Sequence, residues 1–99
     1  MVNSIRHIVV RGRVQGVGFR AFVEDEAERR GLSSWVRNRR DGTVEAIFEG
    51  ETEVIANMIA ACRAGPPGSR VDALDEHEAR PDESSGSRQG RAFNVLPTA

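Results

Sequence analysis

The chain has 99 residues, of which 38% are hydrophobic and 29% charged, and its formal net charge at pH 7 is −1. This length predicts one small domain spanning residues 1–99, since roughly 60–70% of the unfolded surface can be buried in one two-layer core. The balanced charge argues against a dedicated nucleic-acid binder, and no apolar run approaches the ~20 residues that span a bilayer. Cys62 is the only cysteine, which excludes an intrachain disulfide and a multi-cysteine zinc site.

No signal peptide is expected, since Met1–Ser4 lacks both a basic start and a hydrophobic core. We therefore expect a cytoplasmic protein, and its small size and balanced charge favour a monomer. The charges are unevenly distributed. Residues 6–40 carry nine arginines and four acids, whereas residues 41–99 carry five arginines and eleven acids.

The first predicted strand is followed by a glycine-rich stretch. Ile5–Val10 is apolar and β-rich, as expected of a central strand. The next stretch, Gly12–Arg20, holds three glycines at positions 12, 16 and 18. Glycine accepts positive φ at little cost, so this stretch can curl until its N–H groups point inward. Together with Arg20, whose planar fork suits oxyanions, the loop is predicted to bind an anion.

A helix is predicted directly after this loop. In Phe19–Arg30 the apolar residues Phe19, Val23 and Ala27 lie on one face, and Gly31 suits the position after the helix end. The start of this helix adds a positive dipole end and unpaired N–H groups to the loop.

The middle of the chain predicts a β-hairpin. Ser34–Arg40 and Thr43–Gly50 read as strands on either side of Asp41-Gly42, a strong turn signal. In the second of these strands Val44, Ala46 and Phe48 alternate with more polar positions, which gives one mostly apolar face.

The remaining chain predicts one helix and two weaker strands. The helix Thr52–Ala64 has a buried stripe of Ile55, Met58, Ile59 and Cys62, and Gly65-Pro66-Pro67-Gly68 ends it. The other segments are an acidic strand at Arg70–Ala79, a polar and mobile loop at Arg80–Gly90, and a short last strand at Arg91–Leu96.

The order β-α-β-β-α-β, with a short fifth strand, predicts an α+β fold of the ferredoxin-like sandwich type, with two helices packed on one face of a mixed, mainly antiparallel sheet. A right-handed crossover makes the first two strands parallel, so their C-terminal ends share one edge of the sheet. The glycine loop leaves the first strand at that edge, and Asn38 lies late in the second. We therefore expect Arg20 and Asn38 to meet.

The chemistry of these two residues restricts the substrate. Arg20 stays protonated and can bind and polarise but cannot act as a base, and the Asn38 amide can hold a water or a substrate oxygen. The loop holds no histidine, cysteine or carboxylate. A site without a general acid suits a leaving group that needs no proton. An acyl phosphate meets that condition, since its leaving carboxylate is a stable anion with a pKa of ~4.

These residues resemble the acylphosphatase family. Val10–Arg20 matches its first signature throughout, and Gly65–Gly68 also fits the resemblance. Most of the second signature is matched by Trp35-Val36-Arg37-Asn38, Gly42, Val44 and Gly50, although Ser34 stands where the family usually has glycine.

The resemblance implies the ferredoxin-like sandwich and hydrolysis of small acyl phosphates to a carboxylate and orthophosphate, without a metal or other cofactor. It implies that Arg20 is catalytic by binding the phosphoryl group and that Asn38 is catalytic by orienting the attacking water. It also implies that the substrate-binding cradle is lined by the backbone amides of Gln15, Gly16, Val17, Gly18 and Phe19.

One alternative stays open beside this hypothesis, and a second is disfavoured. The same fold can serve as a non-catalytic module that binds phosphate or carbamoyl phosphate. An RNA-binding sandwich needs exposed aromatics on its central strands, and this chain has no tyrosine and no such platform. The loop is neither a P-loop nor a dinucleotide fingerprint, because its glycine spacing differs and no Gly-Lys-Ser/Thr follows.

Several other polar residues are interpreted as structural. His7 and His77 are expected on strand surfaces, and Cys62 in the core. Arg37, Arg39 and Arg40 are expected on a solvated strand and turn, where their field attracts anions.

Overall fold

The computed structural model describes residues 3–80 and the backbone of residues 93–95. Their element order confirms the predicted β-α-β-β-α-β arrangement with a fifth strand. The strands and helices are β1 Asn3–Arg13, α1 Phe19–Arg29, β2 Ser33–Asn38, β3 Val44–Glu51, α2 Thr52–Ala64, β4 Arg70–Glu78 and β5 Phe93–Val95. The predicted loop at 81–90 lies outside the described residues.

The sheet has the strand order β4-β1-β3-β2-β5. β3 is antiparallel to both β1 and β2, so β1 and β2 run parallel to each other, as predicted. β5 adds to the outer side of β2 in parallel. Val44 pairs with Val10 on one side and with Asn38 on the other, which places the C-terminal ends of β1 and β2 at the same end of the sheet.

Both helices pack on one face of the sheet, because the alternating apolar residues of the strands and the apolar stripes of the helices meet there. The central strand β3 contributes every second residue to this core. Among the buried residues of the main core are Ile8, Val10, Val36, Val44, Ala46, Phe48 and Leu74 from the strands, and Phe19, Val23, Ala27, Ile55, Met58, Ile59 and Cys62 from the helices. Trp35, Ile47 and Ala79 form a smaller buried cluster.

Cys62 and Ser34 both lie in the buried interior. Burial raises the pKa of the Cys62 thiol to about 12, so the thiol stays neutral and serves as an apolar group, as predicted. The Ser34 hydroxyl is fully buried and has no hydrogen-bond partner among the described residues. The serine at this position thus places an unsatisfied polar atom beside the core.

The predicted bounds differ most around the glycine-rich stretch. β1 extends beyond Val10 to Arg13, so Gly12 belongs to the strand and not to the loop. The pairing of β1 with β4 shifts register between Arg11 and Gly12. A Cβ on Gly12, which has φ 127°, would lie 2.1 Å from the Arg70 carbonyl oxygen and 2.8 Å from the Asp72 amide nitrogen. Gly12 is required by this close approach of two backbones, and the loop itself is shorter than predicted.

Gly12→Ala is expected to lower the free energy of unfolding by about 3 kcal/mol or more, since the methyl group forces β1 and β4 apart and adds backbone strain. Chemical unfolding with urea measures this loss. Gly68→Ala is the matched control, because Gly68 has φ 88° and a Cβ added there would meet no atom within 4 Å. It adds only backbone strain, of about 1 kcal/mol. Equal losses in the two variants would contradict the close-approach explanation.

Candidate active site

The loop between β1 and α1 ends in an uncapped helix start. Residues 15–18 form turns, and Gly18 is the N-cap of α1 with a left-handed φ of 81°. Its carbonyl accepts the first helical hydrogen bond from the Phe22 amide at 3.0 Å. No side chain caps the helix, and no acidic residue lies in its first turn. The first amides of α1 and its positive dipole end are therefore left for an anion.

This helix start opens into a cavity of about 190 Å³. The lining residues are Val14, Gly16, Gly18, Phe19, Arg20, Ala21 and Asn38. The cavity brings Arg20 and Asn38 together, as expected from the parallel β1 and β2, and it includes three of the predicted cradle residues. Gln15 and Val17 do not line it.

Val14 and Ala21 line this cavity although the sequence reasoning did not single them out. Val14 is 1% exposed and directly follows the last residue of β1, Arg13. Ala21 is the third residue of α1, where a small side chain leaves the helix start open. The sequence does place Ala21 in the first turn of the predicted helix, and this position alone could have indicated that it lines the cavity.

Arg20 and Asn38 are both available to a ligand. Arg20 is half-buried and forms no ion pair within 4 Å with any residue in the described part of the chain. The Asn38 side chain makes no hydrogen bond to the residues described. A guanidinium and an amide that face one small cavity without protein partners can both be used to hold oxygen atoms.

The Gln15 side chain has a bracing position. Its Nε2 donates to the Arg39 carbonyl at 2.7 Å and to the Thr43 carbonyl at 2.9 Å. The same two residues close the β2–β3 turn, where the Arg39 amide donates to the Thr43 carbonyl at 2.9 Å. Gln15 thus joins the glycine loop to the turn that directly follows Asn38, so the loop and the end of β2 are held together.

Gln15→Met is expected to lower the free energy of unfolding by about 1–2 kcal/mol, because two carbonyls lose a donor while the side-chain volume is kept. With an acyl phosphate as substrate, the looser turn should also lower kcat several-fold with little change in KM. Urea unfolding and steady-state kinetics on one preparation measure both effects. Ser4→Ala is the control, since it removes a hydrogen bond to Thr52 of 2.6 Å. If both variants keep the wild-type kcat, the bracing role is wrong.

A partly buried polar network lies behind this turn. It corrects the predicted surface position of His7, which is half-buried, whereas Arg37 keeps a third of its side chain exposed on the strand. Glu45 is 8% exposed. Its Oε2 accepts from His7 Nε2 at 2.6 Å, and its Oε1 accepts from Arg37 Nε at 2.7 Å. The ring of His77 packs against that of His7, with centroids 4.5 Å apart. Burial raises the pKa of Glu45, but the hydrogen bonds from His7 and Arg37 outweigh it and lower the pKa below its ordinary value.

Because the pKa of Glu45 is lowered in the folded protein, we expect the free energy of unfolding to decrease as the pH falls into the acidic range. A carboxyl with a lower pKa in the folded state stabilises the fold above the pKa it has when unfolded, and this contribution is lost as pH falls through the folded pKa. We therefore expect the stability difference between wild type and Glu45→Gln to be largest near pH 7 and to shrink below about pH 4. Urea unfolding across this range measures it. When Arg37→Gln is present in both proteins, the stability difference caused by Glu45→Gln should depend less on pH. The same pH dependence with and without Arg37 would contradict a role of Arg37 in lowering the Glu45 pKa.

The described part of the chain contains no group of three or more His, Cys, Asp or Glu side chains placed to hold a metal ion. Across the same residues, no helix has the length and apolar character needed to cross a membrane.

Comparison with known proteins identifies one family. The acylphosphatase family model matches residues 6–90. An acylphosphatase of Bradyrhizobium diazoefficiens is 53% identical over 98 residues, which cover 99% of each chain. The crystal structure of acylphosphatase from Bacillus subtilis has a TM-score of 0.81 at 38% identity and covers 96% of this chain and 99% of its own. A structure of full-length HypF in the phosphate- and nucleotide-bound form has a TM-score of 0.82 at 28% identity. That match covers 98% of this chain but 12% of the HypF chain.

Proposed function

The chain belongs to the acylphosphatase family, and we propose that it hydrolyses the carboxyl–phosphate bond of small acyl phosphates to a carboxylate and orthophosphate. The observation that carries the proposal is the cavity in which Arg20 and Asn38 meet the uncapped start of α1. The cavity combines a fixed positive fork, backbone donors and a neutral amide. These are the groups needed to position a phosphoryl group and a water molecule.

In the proposed reaction Arg20 and the amides of residues 15–19 hold the oxygens of the phosphoryl group. Of these five residues Gly16, Gly18 and Phe19 line the cavity, and Gln15 and Val17 belong to the same loop. Asn38 holds a water so that its oxygen attacks phosphorus opposite the acyl oxygen. The new phosphorus–oxygen bond forms as the bond to the acyl oxygen breaks, and the leaving carboxylate takes the electron pair without needing a proton. The protons of the water pass to phosphate and solvent. Only contacts that strengthen in the transition state accelerate this step.

The test is phosphate release from benzoyl phosphate by the purified protein, with and without a metal chelator. Equal release in both conditions supports a metal-independent acylphosphatase. If the chelator abolishes phosphate release, the protein is a hydrolase that depends on a metal. Binding of inorganic phosphate without any release contradicts the enzyme.

The alternative is a non-catalytic module that binds phosphate or carbamoyl phosphate. One observation favours it: nearly the whole chain aligns with a small part of HypF, a larger protein described in a phosphate-bound form. The first proposal is stronger, because the Bradyrhizobium relative is matched over 99% of its own length. The benzoyl phosphate assay separates the two.

The remaining sequence predictions stand as proposals. We propose a single domain over residues 1–99 that works as a cytoplasmic monomer without a cofactor, and that neither nucleic acid nor a membrane is its partner. Sedimentation equilibrium of the purified chain tests whether it is a monomer, because a dimer would give twice the molar mass of the chain.

A further inference from the structure

A second cavity lies at the β2–β3 turn, and we propose that it is a binding site for a small oxyanion such as inorganic phosphate. Its volume is about 320 Å³. The residues that line it are Arg37, Arg39, Arg40, Asp41 and Glu45. This site is separate from the cavity of Arg20 and Asn38 and does not depend on the proposed hydrolysis.

The two carboxylates that line this cavity are already bound within the protein. Glu45 accepts hydrogen bonds from His7 and Arg37 through its two oxygens. Asp41 Oδ1 accepts from the Thr43 hydroxyl at 2.6 Å and from the Thr43 amide at 3.0 Å. These bonds lower the pKa of Asp41. Glu45 is therefore engaged through both oxygens, whereas Asp41 keeps its charge and attracts Arg39. Because three arginines and two carboxylates line the cavity, its lining keeps one net positive charge.

Arg39 and Arg40 form no ion pair within 4 Å with any described residue. This separates them from most described arginines. Ion pairs are formed by Arg6, Arg11, Arg29, Arg30, Arg37, Arg63 and Arg70. Besides Arg39 and Arg40, the same absence holds for Arg13 and Arg20. All four lie near the end of the sheet where β1 and β2 finish. Arginines without an ion pair within 4 Å are thus concentrated at this end.

The backbone that carries the cavity is fixed. The Arg39 amide donates to the Thr43 carbonyl, and the Gly42 amide donates to the Arg39 carbonyl at 3.1 Å. The Gln15 side chain holds the carbonyls of Arg39 and Thr43 from the other side. A ligand that enters does not have to order this turn, which favours binding.

The two cavities lie on opposite faces of the same end of the sheet. Asn38 lines the first cavity, whereas Arg37 and Arg39, its chain neighbours, line the second. Consecutive strand residues point to opposite faces, which accounts for this division at Arg37 and Asn38. A small oxyanion can therefore occupy one cavity without entering the other.

The lining chemistry favours an oxyanion over other ligands. Guanidinium groups present planar pairs of donors that match the oxygens of phosphate or carboxylate. The turn is largely exposed to water, so we expect a dissociation constant on the order of 1 mM, weakened by salt.

The test follows backbone amide NMR signals while inorganic phosphate is added at constant ionic strength. In the wild type we expect two groups of shifts, at residues 15–21 and at residues 39–43. Arg20→Ala should lose the first group and keep the second. The double variant Arg39→Gln, Arg40→Gln should keep the first and weaken binding at residues 39–43 by at least about tenfold.

A double variant of two ion-paired arginines, Arg29→Gln and Arg70→Gln, is the charge-matched control and should keep both groups of shifts. Its unfolding by urea, measured beside that of the Arg39 and Arg40 variant, shows that both proteins are folded. The proposal is overturned if Arg20→Ala removes the shifts at residues 39–43, or if those shifts survive the loss of both turn arginines. The proposal is also overturned if phosphate binding at residues 39–43 is weakened equally in the control variant that carries Arg29→Gln and Arg70→Gln.

Discussion

Arg20→Ala is expected to lower kcat/KM for benzoyl phosphate by about 10³-fold or more. Arg20 is the cationic residue that lines the cavity of the proposed active site, and no described carboxylate neutralises it within 4 Å. Its charge is expected to act both on the bound phosphoryl group and on the charge that develops during transfer. Arginines in that position in other phosphoryl-transfer sites supply rate factors of about 10³–10⁵. Both kcat/KM and the affinity for inorganic phosphate should therefore decrease in this variant.

Arg20→Lys separates charge from geometry. Lysine keeps the positive charge but loses the planar fork, so we expect activity to stay far below that of the wild type. Arg29→Gln removes an exposed arginine at the other end of the same helix and should leave the kinetics almost unchanged. Full activity in Arg20→Lys would show that a point charge is sufficient and that the fork has no role.

Asn38→Ala is expected to lower kcat by about 10²–10³-fold while phosphate binding changes little. Asn38 lines the same cavity as Gly16 and Gly18 of the glycine loop, and its side-chain amide makes no hydrogen bond within the described part of the chain. The proposed role is to orient water, which acts in the transition state and contributes little to holding the phosphoryl group. Removing a single oriented polar group from a reacting centre costs about this factor in other enzymes.

The control for Asn38 is Asn57→Ala. Asn57 lies on α2, where its side-chain oxygen accepts from Arg30 Nη2 at 3.1 Å, and it lines neither proposed site. This variant should keep the wild-type kcat. If Asn38→Ala turns over benzoyl phosphate at the normal rate, the proposed water-orienting role is wrong.

Local signals predicted most of the fold. The helix Thr52–Ala64 has the predicted bounds at both ends, because its apolar spacing and the following Gly65 and Pro66-Pro67 act within a few residues. The β2–β3 hairpin was predicted from Asp41-Gly42, although its turn spans residues 39–43. That difference arises because Asp41 bonds to Thr43 and Gln15 holds the turn from a distant part of the chain.

The candidate site was predictable in outline. A right-handed crossover makes β1 and β2 parallel, so the sequence alone predicts that Arg20 and Asn38 lie at one end of the sheet. The structure adds Val14 and Ala21 to the cavity and leaves Gln15 and Val17 out of its lining. The roles of Arg20 and Asn38 stay predictions until their variants are measured.

By itself the sequence determined the order of elements, the helix start after the glycine loop and the family signatures, since each depends on residues close together in the chain. Only the tertiary structure decided what Gly12 and the Gln15 side chain do, because both face segments far away in sequence. The same holds for the turn arginines. Whether an arginine forms an ion pair depends on which carboxylates the fold brings within reach. At this end of the sheet Glu45 pairs with Arg37 and Asp41 bonds to Thr43, and no described carboxylate lies within 4 Å of Arg39 or Arg40.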